Sequence, residues 1–321
     1  MALSVPGHWI WDFWLAQQGE EWHIFFLRAP KTLLDPELRH INATIGHACS
    51  TDLRTWELLP DPLGLGAEGE WDDAALWTGS CVWSGEQWWL FYTGVSTTDD
   101  AKIQRIGAAT STDLLNWEKV TENPLCTADP RWYETNDPNA WYEEAWRDPH
   151  VFPDPEGSGF HMFITARANE GLPDRRGVIG HATSEDLLTW EVRPPVATPG
   201  MFGHLEVSQH VRIGDHHYAL FCVHSDWQPT VPFAETWTGT GYLMADVLEG
   251  PYVPGPTPFL VADHRGTSYA GKIVEVDGEL LFLATCHETL DGEYIGSISD
   301  PVPIVVGEDG SIAPVHLWTP T

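Results

Sequence analysis

One twelve-residue pattern recurs three times in this chain, and each copy follows a strongly apolar run. The copies read Ile-Gly-His-Ala-Cys-Ser-Thr-Asp-Leu-Arg-Thr-Trp at 45–56, Ile-Gly-Ala-Ala-Thr-Ser-Thr-Asp-Leu-Leu-Asn-Trp at 106–117 and Ile-Gly-His-Ala-Thr-Ser-Glu-Asp-Leu-Leu-Thr-Trp at 179–190. The apolar runs span 22–28, 88–94 and 161–167; two more, at 217–223 and 280–285, precede degraded copies at 241–246 and 294–300. Each run can form a buried strand, and none is long enough for an ordinary core helix. The 321 residues leave about 64 per unit, enough for four short strands and too few for an independent domain. The units must therefore stack. Stacking around a channel buries both faces of every sheet, so the expected fold is all-β: a single five-bladed β-propeller over residues 1–321, with four-stranded blades and no C-terminal β-sandwich. A β-sandwich alone would not require the same strand order in every unit.

Composition excludes several classes. No apolar run approaches the ~18 residues a membrane helix needs, and 42% hydrophobic with 20% charged residues describes a globular chain. A formal charge of −31 opposes attraction to nucleic acid or to an anionic membrane. Such acidity serves solubility and also fits a salt-adapted host. Eighteen Trp are unusual; most fit blade packing, and the rest offer the flat faces on which sugars stack. Five cysteines, Cys49, Cys81, Cys126, Cys222 and Cys286, show no Cys-x-x-Cys spacing and are expected as buried free thiols. The chain opens Met-Ala-Leu-Ser-Val-Pro-Gly, without a basic start and apolar stretch, so a cytoplasmic location is expected.

The innermost strand of each blade lines the channel, where residues far apart in sequence converge. The segments just upstream of the apolar runs are 8–14, 76–82, 145–151, 203–209 and 268–274. Three of them set one acid among aromatic or apolar neighbours: Asp12, Asp148 and Glu206. Carboxylates are costly to bury unless paired, hydrogen-bonded or employed. Carboxylates beside Trp suit glycosyl transfer, in which one attacks the anomeric carbon or activates water and another protonates the leaving oxygen. Glu206, whose chain neighbours are uncharged, suits the acid, with a pKa expected to be raised by that setting. Asp12, between Trp11 and Phe13, suits the nucleophile. Asp148, beside Arg147 and before Pro149, suits an ionised residue that holds sugar hydroxyls.

These segments resemble the five-bladed propeller glycosidases of glycoside hydrolase families 32 and 68, the β-fructofuranosidases, levansucrases and fructosyltransferases, with family 43 a more distant relative. Trp11-Asp12-Phe13-Trp14 is similar to the family 68 nucleophile segment, and Trp146-Arg-Asp-Pro-His-Val-Phe152 to the Arg-Asp-Pro stabiliser motif. His204-Leu-Glu-Val207 stands where the acid/base segment falls. Trp77-Thr-Gly-Ser80 resembles a second-blade substrate segment, and Tyr269-Ala270 a fifth-blade one. The resemblance implies Asp12 as nucleophile, Asp148 as stabiliser and Glu206 as acid/base, with Trp11, Trp14, Trp77, Ser80, Arg147, His204 and Tyr269 against the substrate. It implies a retaining hydrolase or transglycosidase acting on sucrose or short fructo-oligosaccharides.

One departure matters. The family 32 string Asn-Asp-Pro-Asn is absent from the first unit and present at 136–139, so motif alone would select Asp137 while repeat position selects Asp12. Two further readings remain: an inverting family 43-type arabinofuranosidase or xylosidase, and a sugar-binding propeller without catalysis. The expected partner is a small carbohydrate. No cofactor or metal ligand set is expected, and a structural calcium, the oligomeric state and the choice between hydrolysis and transfer stay open.

Overall fold

The computed structural model describes residues 2–316 except 138–140, 156, 229–236, 265 and 290–291. Five antiparallel sheets follow one another along the chain, each built inner strand first. The inner strands are His8–Gln18, Ala75–Trp83, Trp146–Pro153, Glu206–Ile213 and Ser268–Val276. They touch one another in a closed ring, first to second and onward round to fifth and first, and the fold is a five-bladed β-propeller.

The apolar runs are the second strands, Glu21–Pro30, Trp88–Val95, Phe160–Arg167, His216–Val223 and Glu279–Glu288. Their unbroken hydrophobicity has a simple cause. Successive side chains leave a strand on opposite faces, and here both faces meet a neighbouring blade. Leu90 joins the core between blades one and two, whereas the adjacent Phe91 joins the core between blades two and three. Both are fully buried, and Phe91→Ala would cost about 3–5 kcal/mol through lost transfer energy and the cavity left behind.

The recurring pattern forms the third strand and the turn after it. Asp52, Asp113 and Asp186 each accept two backbone N–H bonds from the residues that follow. The Leu next to each takes a left-handed φ of 57–65°, a strained geometry that the Asx turn holds in place. The repeat that reveals the fold is thus a structural turn on the outer side of the first three blades.

Blade five departs from four strands. Its second strand pairs with Tyr294–Ile298 at one end and Val302–Val306 at the other, so the third strand is split around 299–301. Leu3 exchanges two backbone bonds of 2.8 and 2.9 Å with Ile298, which ties the start of the chain to the last blade. All five cysteines are free, four of them buried, as expected. No helix among the described residues is long and apolar enough to cross a membrane.

Candidate active site

Pairing register fixes which inner-strand residues share a level. Trp11, Trp77, Arg147, Glu206 and Tyr269 lie opposite Leu27, Thr93, Thr165, Cys222 and Thr285 of their second strands. Immediately after each, the register slips. A bulge bends the strand and re-aims the next side chain, so Asp12, Thr78, Asp148, Val207 and Ala270 form a second ring near the end of the channel where the inner strands begin. Four of these five carry positive φ: Asp12 24°, Asp148 57°, Val207 53° and Ala270 48°. For a β-branched Val this is a genuine outlier, and such strain concentrates at functional sites. Pro149 is tolerated in an inner strand because that strand is the edge of its sheet.

Asp12 and Asp148 therefore occupy one repeat position, whereas Glu206 stands one residue earlier, level with Arg147. The expected coincidence of all three acids holds for two. The bulge of blade four brings the third in by another route: the Val207 N–H donates to Asp148 Oδ2 at 3.1 Å, which places Glu206 next to Asp148. Asp148 also accepts from Thr165 Oγ1 at 2.8 Å, and its own N–H donates to Thr93 Oγ1 at 2.9 Å. Asp12 accepts a 2.7 Å bond from Thr78 Oγ1. Burial in the packed channel end, then the nearby Asp148 and Glu206 charges, push the Asp12 carboxyl up to about 7, against the opposing effects of Thr78 and Lys272. Burial likewise raises Asp148, with Arg147 acting in the opposite sense.

Glu206 is not in the uncharged setting that its chain neighbours suggest. Arg147 Nη2 donates to its Oε1 at 2.5 Å, and the Tyr269 hydroxyl donates to its Oε2 at 2.5 Å. Arg147 Nη1 bonds Glu143 at 2.9 Å and Gln104 at 3.0 Å, while Nε lies 3.6 Å from Asp148 Oδ2. Burial opposes this guanidinium charge, and Glu143, Glu206 and Asp148 outweigh it. Beneath the acids, buried Lys272 donates to the carbonyls of Val207 at 2.9 Å and Ser208 at 3.3 Å. Burial lowers its ammonium to about 8, with Asp12 and Asp148 resisting the shift.

The remaining expected residues divide. Trp11, Trp77, Arg147 and Tyr269 stand in the first ring, and the Trp77 indole donates to the His40 carbonyl at 2.7 Å. Ser80 is buried and accepts from the Val151 N–H at 2.9 Å, a blade-to-blade tie. Trp14 is 4% exposed and stacks on Phe25 with centroids 5.9 Å apart. His204 has no exposed surface, and its Nε2 receives the Trp141 indole N–H at 3.1 Å. Two residues past a bulge, Trp14 and Ser80 face the neighbouring blade, and His204 precedes its strand; Trp11 and Arg147 of the first ring are also buried, at 4% and 7% exposure. Asp137 is exposed on the loop before blade three, and its carbonyl accepts from the Trp141 N–H at 3.1 Å, while Pro138 and Asn139 lie outside the described residues.

Sequence reasoning missed Thr78, Gln104, Glu143 and Lys272. Thr78 had a signal, since it shares the repeat position of Asp12 and Asp148. Gln104 and Glu143 come from loops outside the repeat, and nothing in the sequence links them to Arg147. Among the described residues no group of three or more His, Cys, Asp or Glu side chains is arranged to hold a metal.

Two aspartates and a glutamate from three different blades thus converge at one end of the channel of a five-bladed propeller. Residues 11–288 match the model for the glycosyl hydrolases family 32 N-terminal domain, and the chain belongs to that family. It is 26% identical over 234 residues to a sucrose-6-phosphate hydrolase of Pediococcus pentosaceus, covering 71% of this chain and 41% of that one. A fructosyltransferase of Allium cepa is 34% identical over 116 residues, covering 34% of this chain and 19% of that protein. The chain thus spans well under half the length of these relatives. In fold it is similar to the inulosucrase from Halalkalicoccus jeotgali, with a TM-score of 0.80, 21% identity and 99% and 92% of the two chains covered. A Bombyx mori β-fructofuranosidase superposes with a TM-score of 0.73 at 20% identity, over 98% and 64%.

Proposed function

We propose that this protein is a retaining β-fructofuranoside hydrolase or fructosyltransferase acting on sucrose or short fructo-oligosaccharides, with Asp12 as nucleophile and Glu206 as acid/base. The observation that carries this reading is the unequal bonding of two aspartates at one repeat position. Asp12 accepts a side-chain bond from Thr78, leaving lone pairs for attack; Asp148 is held by Thr165 and the Val207 N–H beside Arg147. In the reaction Asp12 attacks the anomeric C2 while Glu206 protonates the departing oxygen. Asp148 and Arg147 hold ring hydroxyls and the charge that develops in the oxocarbenium-like transition state. Glu206, then a carboxylate, takes a proton from water or from a second sugar as it cleaves the fructosyl ester. Tyr269 and Arg147 fix the Glu206 carboxyl from two sides, which keeps its proton transfer in line with one oxygen.

Incubation with sucrose, followed by NMR of the first-formed fructose, tests this. Release of the β-anomer supports the reading, and release of the inverted anomer removes it. Glu206→Gln should lower turnover of sucrose by about 10²–10⁴-fold and that of a donor with an activated leaving group far less. Equal losses on both donors would contradict the acid role.

A further inference from the structure

Three aromatic side chains stand beside Glu206 and play no part in the chemistry above. Trp141 and Tyr142 belong to the loop before blade three, and Trp227 to the segment after the second strand of blade four. Their ring centroids lie 5.3–5.7 Å apart. Tyr142 is 52% exposed, and the two Trp are half-buried. A cluster of this kind at a channel mouth needs either a cover or a use.

The cluster is packed on a buried guanidinium and tied to the segment that leads into Glu206. The Arg167 guanidinium lies 3.6 Å from the centroid of Trp141. That cation is fully buried, donating from Nε to Glu134 at 2.9 Å, from Nη1 to the Gly203 carbonyl at 2.7 Å and from Nη2 to the Pro173 carbonyl at 2.6 Å. From the other side the Trp141 indole N–H holds His204, two residues before Glu206. The Gly203 N–H donates to the Trp227 carbonyl at 2.8 Å. A Cβ on Gly203 would stand 3.4 Å from both Trp141 Cη2 and Trp227 Cβ, so the chain passes directly beneath both residues. Tyr142 and Arg147 are further linked through Glu143, which bonds Arg147 at 2.9 Å.

We propose that Tyr142 and Trp227, braced by Trp141, form a stacking platform for the sugar ring that leaves from or accepts the fructosyl group, and that this ring is uncharged. The assignment rests on the acid/base role given to Glu206: the leaving oxygen must lie on its side, so the attached ring passes over the surface next to it. Aromatic faces hold the apolar side of a sugar ring with little loss of side-chain freedom. Charge decides between a neutral and a phosphorylated ring. Glu143 and the exposed Asp226 border the platform, and the two nearby guanidiniums are engaged, Arg147 with Glu143 and Glu206 and Arg167 with Glu134. Burial drives His204 far toward its neutral form. Among the described residues bordering the platform, a phosphate would meet Glu143 and Asp226, and the further basic group beside them, His224, is already paired with Asp226 at 3.4 Å.

The test compares sucrose, 1-kestose, sucrose 6-phosphate and β-fructofuranosyl fluoride, whose leaving group has no ring. The wild-type protein should use sucrose at least tenfold better than its 6-phosphate in kcat/KM. Tyr142→Ala and Trp227→Ala should each raise KM for sucrose and kestose about tenfold and lower the ratio of transfer to hydrolysis. The loss on the two sugars should exceed that on the fluoride at least fivefold. Tyr142→Phe should restore most of the KM, since stacking needs the ring and not the hydroxyl. Equal losses on fluoride and sugars, or unaltered KM values, would overturn the platform while leaving the fructosyl chemistry standing. A wild-type preference for the 6-phosphate would overturn the neutral assignment. A wild-type protein inert even toward the fluoride would overturn the proposed function itself, and the platform with it.

Discussion

The inner strands of blades one and three carry an aspartate at the same bulge, and the two carboxyls live differently. Asp12 is flanked by Trp11 and Phe13 and accepts a bond from Thr78. Asp148 sits in a lattice of Thr165, the Val207 N–H and Arg147. The backbone device is shared; the second strand is not. Opposite Arg147 stands Thr165, which reaches Asp148, whereas opposite Trp11 stands Leu27, which cannot donate. A one-residue difference in the apolar strand thus gives Asp148 a hydroxyl donor from its own blade that Asp12 lacks. The lesson is that repeat position supplies the geometry, and the neighbouring strand sets how firmly each carboxyl is held; under the proposed function that difference separates nucleophile from stabiliser.

The sharpest way to break this comparison is to neutralise each acid in turn. Asp12→Asn should cost about 10⁴-fold or more in kcat, the scale of removing a nucleophile, measured on sucrose and on the fluoride alike. It should also stabilise the fold. Because the folded carboxyl titrates near 7 and an unfolded Asp near 3.8, ionising Asp12 destabilises the native state as pH rises through that window. The variant should gain most above pH 7, on the order of 2 kcal/mol once water in the channel is allowed for, and nothing below about pH 4. Thermal melts at pH 4 and 8 check the sign.

Asp148→Asn should lose about 10²–10³-fold, the several kcal/mol of hydroxyl contacts that strengthen in the transition state. Its melts should show no comparable gain, because the substitution disturbs the Thr165 and Val207 bonds. Equal stabilisation by both variants would erase the distinction between the two positions.

Two smaller effects sharpen it. Asp12 must be ionised to attack, so kcat/KM should fall below about pH 7 on the acidic limb. Thr78→Val removes a bond that lowers the Asp12 pKa, so this limb should move to higher pH by about one unit. Lys272→Met removes a cation with a smaller lowering effect and should move it the same way by a few tenths. A limb unmoved in both variants would mean that it reports a group other than Asp12.

Much of the fold was legible because its signal is periodic. The five apolar runs were found since both faces of each second strand are buried, and the three Asp-Leu turns recur for the same structural reason in successive blades. The meeting of Asp12 and Asp148 at one level of the channel was legible because both sit on the repeat. Glu206 was found in the correct segment, yet its setting was misread, because Arg147 and Tyr269 reach it across the channel from other blades. The packing of Ser80 and Trp14 was hidden for a related reason: each stands two residues past a bulge, which inverts the alternation that sequence spacing assumes, while His204 lies before its strand. Lys272 and the Trp141, Tyr142 and Trp227 cluster depend on contacts between distant segments, and no local pattern marks them.

The central claim is that Asp12, and not Asp148 or Asp137, forms the bond to the sugar. A fructosyl adduct, accumulated on the fluoride in the Glu206→Gln variant, where loss of the base slows its hydrolysis, and quenched with acid, can be located by peptide mass spectrometry. The account predicts a mass increase on the peptide containing Asp12, abolished by Asp12→Asn. An adduct on Asp148 or Asp137, or one that survives Asp12→Asn, would contradict it.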